Sequence, residues 1–303
     1  MAIRAASLNY RDLLVLGDSA SIGRIPLSDG AGVIEAIGRD VTNLKVGDRV
    51  MIPFFRDWLN GPFRSSYLQS ALGGDVTDGV LTDKIIVPSS TPVKIPDSLS
   101  FDVAATLPCA AVTVWAGLVE RAKLSAGDTI LIQGTGGVAL FALQIAVAKG
   151  VRVIITSSSD EKLERAKAMG AAHGINYKKT PAWDEEVLKI TDKNGVSHVL
   201  ELGGPDTYQR SLNSLAGGGK IIQIGVLTGF GSRPNLWELQ IRNADIIGVT
   251  VGSRLHLEKV TNFIDENRIN PVIDRIFPIS EPQEALEYLR SAKYFGKIVL
   301  SAG

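Results

Sequence analysis

The stretch GDTILIQGTGGVALFALQIA (127–146) decides the fold. Its TILIQ run (129–133) is an unbroken segment of strand length, and the apolar residues 138–148 that follow read as a helix ending at Lys149 and Gly150. Between them, Gly134-Thr135-Gly136-Gly137-Val138-Ala139 fits G-x-G-x-x-G/A, with alanine in the last place. Each position has a mechanical reason. Gly134 permits a tight turn, Gly136 lets backbone N–H groups approach a pyrophosphate, and Ala139 lets helix and strand pack closely. The pyrophosphate is expected at the positive end of the helix. Alone such a motif is weak; directly after a strand and before a helix it is specific.

Working outward, strand and helix patterns alternate from about residue 126. The strand runs are TILIQG (129–134), RVIITS (152–157), HGINY (173–177), SHVLEL (197–202), GKIIQIG (219–225) and DIIGVT (245–250). Strands spaced by helices imply βαβ units and a parallel sheet covered on both faces. The second helix, DEKLERAKAM (160–169), stops at Gly170, and Ser158 with Glu161 reads as its capping box. Residues 1–98 have another texture: short apolar runs such as GAGVIEAIG (30–38), GDRVMIP (47–53) and DKIIVP (83–88), bounded by Gly and Pro, as in a β-rich domain. The tail reads helix 257–267, strand 272–277, helix 281–292, strand 297–300. The expected class is therefore α/β, with a β-rich domain (1–98), a six-stranded doubly wound domain (99–252) and a terminal segment (253–303).

Bulk properties exclude several roles. The 303 residues carry 32 Lys+Arg against 32 Asp+Glu, so neither nucleic acid nor an anionic membrane is an expected partner. A single cysteine, Cys109, excludes an intramolecular disulfide and a four-cysteine zinc site. No apolar run approaches a membrane span of roughly 18 residues. The opening MAIRAASLNYRDLL lacks a secretory apolar core, so the cytoplasm is expected.

The end of the second strand reports on the ribose. NAD sites usually place an acid there, about 20 residues after the fingerprint, to accept from the 2′-hydroxyl. Here the strand ends Thr156-Ser157-Ser158, with Lys162 close behind. Hydroxyls and a cation suit a 2′-phosphate, which favours NADP(H). Asp160 and Glu161 are the opposing signal, although both fit a helix N-terminus without touching ligand.

With AASLNYRDLL (5–14), PLSDGAGVIEAIG (26–38), VGDRV (46–50), ATLPCAAVTVW (105–115), the fingerprint, VIITSSSDEKLERAKAMGAAHGINY (153–177) and FGKIV (295–299), nearly the whole chain resembles one family. It is the zinc-independent, quinone-oxidoreductase-like branch of the medium-chain dehydrogenases/reductases. The resemblance implies a GroES-like substrate domain, an inserted Rossmann domain, a C-terminal segment returning to the first, and an interdomain cleft for the nicotinamide. Relatives usually carry further N-terminal strands, so the first domain reads as shortened.

The same resemblance assigns residues. Ser157, Lys162 and Tyr177 match positions that hold a 2′-phosphate. Thr113 matches a position near the cofactor, Gly225 and Val226 a loop lining the nicotinamide, and Phe295, Gly296 and Lys297 a second cofactor contact. Zinc-dependent relatives place a cysteine in the region of Asn9–Asp12, a G-H-E at Ser28-Asp29-Gly30 and a third ligand near Cys109. Only Cys109 survives, and catalytic zinc needs three ligands, so a zinc-independent reaction and a merely packed Cys109 are expected. Asn9, Tyr10 and Asp12 are the catalytic candidates, for orienting substrate and offering a proton or hydrogen bond. Equally, Asn9 reads as the cap of a helix starting at Tyr10. Without zinc, a quinone, enone or enoyl acceptor fits, because conjugation spreads the charge that arrives with hydride. A cofactor-binding protein with little turnover and an NAD-linked alcohol dehydrogenase are the alternatives. Trp58, Phe54, Phe55 and Tyr67 read as pocket wall or as core. The strand near 245–250 reads as an exposed edge, which predicts a homodimer.

Overall fold

A computed structural model describes residues 1–229, 231 and 235–303. The chain divides into two compact units, residues 1–112 with 251–303, and residues 113–250.

In the first unit, β1 (Ala2–Ser7) lies between β2 (Asp29–Val33) and β12 (Lys297–Ser301), antiparallel to both. The sheet is completed by β3 (Arg49–Ile52), β4 (Val93–Lys94) and β11 (Ile273–Pro278), in the order β11-β12-β1-β2-β3-β4. Its core joins Ile3, Ala6 and Leu8 to Ile298 and Leu300, two ends of the chain locked in one hydrophobic cluster. Helix α1 (Tyr10–Leu16) follows β1 directly. Helix α2 (Phe101–Ala105) is capped by Ser100, whose hydroxyl accepts from Val103 N–H, and packs on β1 and β2. Residues 99–112 thus belong with this unit. The DKIIVP run forms no strand: a single bridge joins Lys84 to Ala2, and Ile86 is 98% exposed. Ile3 N–H on Asp83 O and Ile85 N–H on Met1 O, both 3.0 Å, hold the run against the start of the chain, and Ile85 and Val87 pack on the core, but the pairing is too short for a regular strand.

A helical run leads from the first unit, where it makes a wide π-helical turn at Leu107–Ala111, through α3 (Val112–Val114) to a second such turn at Trp115–Arg121 in the second unit. Its strands are β5 (Thr129–Gln133), β6 (Arg152–Ser157), β7 (His173–Asn176), β8 (Val196–Glu201), β9 (Leu215–Gln223) and β10 (Asp245–Gly248). All pair in parallel, in the order β10-β9-β8-β5-β6-β7. That is the doubly wound arrangement expected from the alternating pattern, with the strand order reversing beside β5. The helices are α4 (Gly137–Ala148), α5 (Asp160–Ala168), α6 (Trp183–Ile190), α7 (Pro205–Asn213) and α8 (Trp237–Ile241). Helix α4 is apolar nearly all round and correspondingly buried, while α5 buries only Leu163 and Ala166. In the first unit the tail supplies α9 (Arg254–Glu266) and α10 (Pro282–Arg290).

Candidate active site

At the carboxyl end of β5 the chain turns on Gly134, whose φ of 77° is the left-handed conformation that the motif requires. Its N–H donates to Thr156 O at 2.9 Å, tying the turn to β6. Thr135 is buried; Gly136, Gly137 and Val138 are half-buried at the start of α4. Gly136 is the N-cap, and no side chain caps the helix. The first N–H groups of α4 therefore keep no side-chain acceptor, which is the arrangement an anion completes. Ala139 is fully buried, as close helix–strand packing demands.

The loops after β8 and β9 meet beside this turn. Thr228 N–H donates to Gly203 O at 2.8 Å, and Gly225 N–H to Glu201 O at 3.1 Å. A Cβ on Gly225 would stand 2.2 Å from Leu202 O, so only glycine permits the approach. Val226 is half-buried beside it. Beneath lies a network absent from the sequence reading. The buried Glu201 carboxylate accepts from Gly203 and Gly204 N–H (both 2.9 Å), from Thr207 Oγ1 (2.6 Å), from Gln133 Nε2 (2.7 Å) and from Ser211. Gln133 Oε1 accepts in turn from Leu202 and Gly203 N–H at 3.0 Å. A carboxyl group out of water is tolerable only with such complete pairing. A glutamate between the apolar residues of VLEL (199–202) is the available sign.

At the tip of β6, Ser157 is buried and its Oγ accepts from Ser159 N–H at 3.3 Å. The cap of α5 is Ser159, which accepts from Lys162 N–H at 3.3 Å; the Ser158–Glu161 capping box does not form. The shift by one residue leaves Ser158 exposed at the rim. Lys162 is half-buried on the first turn of α5, and Tyr177, after β7, is exposed with its N–H on Ser157 O at 3.1 Å. The three positions assigned to a 2′-phosphate thus share one rim. Thr113 is buried in α3.

The remaining candidates cluster in the first unit. Asn9 is the N-cap residue of α1, in a capping box closed by Asp12, as the sequence suggests. Asn9 Oδ1 also accepts from Lys297 Nζ at 2.6 Å; that ammonium donates to Leu8 O at 2.6 Å and lies 3.7 Å from Asp29 Oδ2. Lys297 is only 3% exposed and Asp29 fully buried, with Ser28 Oγ donating to Asp29 Oδ1 at 2.9 Å. Asp12 Oδ2 accepts Asn9 N–H at 2.7 Å, and Arg11 stands 3.7 Å from its other oxygen. Burial pushes the Asp12 carboxyl up to about 6 against the opposing pull of Arg11, and raises Asp29 against that of Lys297. Phe295 is buried, and Gly296 takes a φ of 101° just before Lys297. Tyr10 is exposed on the outer side of α1.

This cluster does not fit a catalytic zinc. Where the resemblance places metal ligands, the chain puts a buried ammonium among Asn9, Asp29 and a backbone carbonyl. Burial, and secondarily the Asp29 carboxylate, raises the Cys109 thiol well above its ordinary value. Among the described residues no group of three or more His, Cys, Asp or Glu is arranged to hold a metal. Cys109 packs instead against Phe54, Phe55 and Trp58, a buried cluster in which Trp58 stacks on Tyr67 at 5.7 Å. These aromatics are mainly core.

Comparison with known proteins agrees with the fold. Residues 1–97 match the alcohol dehydrogenase GroES-like domain, and residues 137–266 match the zinc-binding dehydrogenase family. A zinc-type alcohol dehydrogenase-like protein of Schizosaccharomyces pombe is 44% identical, over 98% of this chain and 89% of its own. An acryloyl-coenzyme A reductase of Metallosphaera sedula is 30% identical, over 99% and 90%. The crystal structure of a putative alcohol dehydrogenase from Sinorhizobium meliloti superimposes with a TM-score of 0.93 at 42% identity, covering 99% of this chain and 89% of that one. With its GroES-like unit and its six-stranded dinucleotide-binding sheet, the chain belongs to the medium-chain dehydrogenase/reductase family of oxidoreductases.

Proposed function

We propose that the protein is an NADPH-dependent, zinc-independent reductase that delivers hydride to a conjugated acceptor: an enone, a quinone or an enoyl thioester. The observation that carries the reading is the rim at β6, where Ser158 is exposed, Lys162 and Tyr177 stand by, and no acid occupies the strand tip. Such a rim suits a 2′-phosphate and places no carboxylate at the strand tip itself to accept from a 2′-hydroxyl. The uncapped start of α4 supplies backbone N–H groups for the pyrophosphate. When bound, the reduced nicotinamide supplies the hydride; the acceptor takes it at a carbon conjugated to carbonyl, and its oxygen or α-carbon then takes a proton. Tyr10, exposed on the first turn of α1, is the side chain available to donate a hydrogen bond or that proton. Asn9 and Asp12 act behind it, Asn9 fixed by Lys297 and Asp12 holding the Asn9 backbone.

The unsuitable donor set for zinc supports an acceptor that needs no Lewis acid, and the acryloyl-coenzyme A reductase name supports an activated alkene. The alcohol dehydrogenase names favour a second reading, NAD-linked alcohol oxidation. Titration with NADPH and NADH, followed by cofactor fluorescence, separates the two. NADPH binding at least about tenfold tighter (~1.4 kcal/mol), with turnover of enones or quinones, is expected. An NADH preference with alcohol turnover would favour the second reading, and binding without any turnover a non-catalytic role. We also propose a homodimer, since β10 ends the parallel sheet with Ile246 exposed and is preceded by α8 with Trp237 59% exposed. Sedimentation at micromolar concentration should find the dimer. No helix among the described residues is long and apolar enough to cross a membrane.

A further inference from the structure

The 2′-phosphate reading leaves one difficulty. Asp160 is the first residue of α5, three positions beyond Ser157, and an ionised carboxylate there would repel a phosphate that approaches dianionic charge at neutral pH. The structure shows what becomes of it. Asp160 Oδ1 accepts from Asn176 Nδ2 at 2.6 Å, and Oδ2 accepts from Lys179 Nζ. Asn176 is the register partner of Ser157 in the β6–β7 pair, so this contact lies at the rim itself. Its own Oδ1 accepts from Lys178 N–H at 3.1 Å and Lys179 N–H at 3.4 Å. That local turn brings the Lys179 side chain back over Asp160, and the amide is oriented with its N–H₂ toward the carboxylate. The Lys179 ammonium, with the Asn176 amide, holds Asp160 below the usual carboxylate range.

We propose that Lys179 is a specificity-determining residue for the dinucleotide, acting through Asp160: with Asn176 it occupies both carboxylate oxygens. A 2′-phosphate then meets a compensated charge at Asp160 rather than a bare carboxylate. The inference rests on the NADP(H) reading above. It differs from a direct lysine–phosphate contact, because it assigns Lys179 no bond to the ligand. An exposed ion pair of this kind contributes little to stability, so its effect belongs to the ligand equilibrium.

The test is a double-mutant cycle on the full chain, with dissociation constants for NADPH and NADH measured by cofactor fluorescence for wild type, Lys179→Ala, Asp160→Asn and the double variant. Lys179→Ala should weaken NADPH about tenfold while leaving NADH unchanged or tighter. Asp160→Asn alone should change NADPH binding less than threefold, and the double variant should recover most of the lost NADPH affinity. Lys179→Arg should retain the wild-type ratio. A loss that persists in the double variant would overturn the proposal in favour of direct phosphate contact, as would a Lys179→Ala protein with an unchanged NADPH/NADH ratio. Wild-type protein that binds NADH as tightly as NADPH sinks the 2′-phosphate reading itself. An intact wild-type preference with no recovery in the double variant sinks only the Lys179 assignment.

Discussion

The dinucleotide rim and the buried ion cluster of the first unit are built in opposite ways. At the rim the functional groups are mostly backbone: a left-handed Gly134, the uncapped start of α4 and the approach of Gly225 to Leu202. Their partners are local or follow from a regular parallel sheet. In the cluster the interacting groups are side chains, and Lys297 meets Leu8 and Asn9 across almost the whole length of the chain. The rim tolerates exposure to water, whereas the cluster buries Asp12, Asp29 and Lys297 together. A site made of backbone is specified by a short motif. A site made of buried charge is specified by each member's dependence on the others, and removing one leaves the rest unpaired.

That contrast breaks most sharply at Lys297. Lys297→Met keeps most of the side-chain volume but leaves Asp29 buried beside the neutral Ser28 and Asn9 side chains and Asn9 Oδ1 without its donor. The expected loss is about 3–5 kcal/mol in urea-induced unfolding. Adding Asp29→Asn should return part of it, because the uncompensated charge is then gone. A single variant that loses less than about 1 kcal/mol would show that the cluster is not an interdependent unit.

Asp12 tests the same cluster by pH. Its carboxyl is held at about 6 by burial, against about 3.9 in an unfolded chain, so between these values the native state binds the proton more tightly. Unfolding free energy from this group is therefore greatest below about pH 4 and falls as pH rises to about 6, by about 3 kcal/mol in all. Above that it is flat. Asp12→Asn keeps an oxygen for Asn9 N–H and has no proton to lose. Its stability relative to wild type should climb across that window and then level. Parallel pH curves for the two proteins would remove Asp12 from the cluster's electrostatics.

How much of each region was legible follows from the same difference. The six strands, the fingerprint turn and the Gly150 and Gly170 helix stops could be read because periodicity and glycine spacing are local constraints. The cap of α5 was misplaced by one residue, since Ser157, Ser158 and Ser159 offer the same hydroxyl and only the turn geometry selects Ser159. DKIIVP reads as a strand and does pair with the start of the chain, but an apolar run does not reveal that the pairing stops after a single bridge. Neither Lys297 on Asn9 nor Gln133 on Glu201 could be paired from the sequence, where nothing links residues 288 or 68 positions apart. The sign that remained was a charge within a strand-like apolar run, as at Glu201 and Asp29, which demands distant partners without naming them.

At the rim the expected effects are smaller. Gly225→Ala places a Cβ 2.2 Å from Leu202 O, so one of the two loops must move. About 2 kcal/mol of stability should be lost, with weaker binding of the nicotinamide dinucleotide. Thermal unfolding and cofactor titration on the same preparation check both. Unchanged binding in a destabilised protein would mean that the β8–β9 loop contact serves folding alone.

The smallest effect separates two adjacent serines. Ser159 caps α5 through Lys162 N–H, so Ser159→Ala should cost about 1 kcal/mol. Ser158 is exposed and lies outside the cap, so Ser158→Ala should leave stability within about 0.5 kcal/mol. On the 2′-phosphate reading the order reverses for the ligand: Ser158→Ala should weaken NADPH several-fold and leave NADH unchanged. Equal and small effects of Ser158→Ala on both dinucleotides would assign the phosphate to Lys162 and Tyr177 without it. A larger stability loss at Ser158 than at Ser159 would place the cap where the sequence alone had put it, and the exposed hydroxyl at the rim would then no longer be free to meet a ligand.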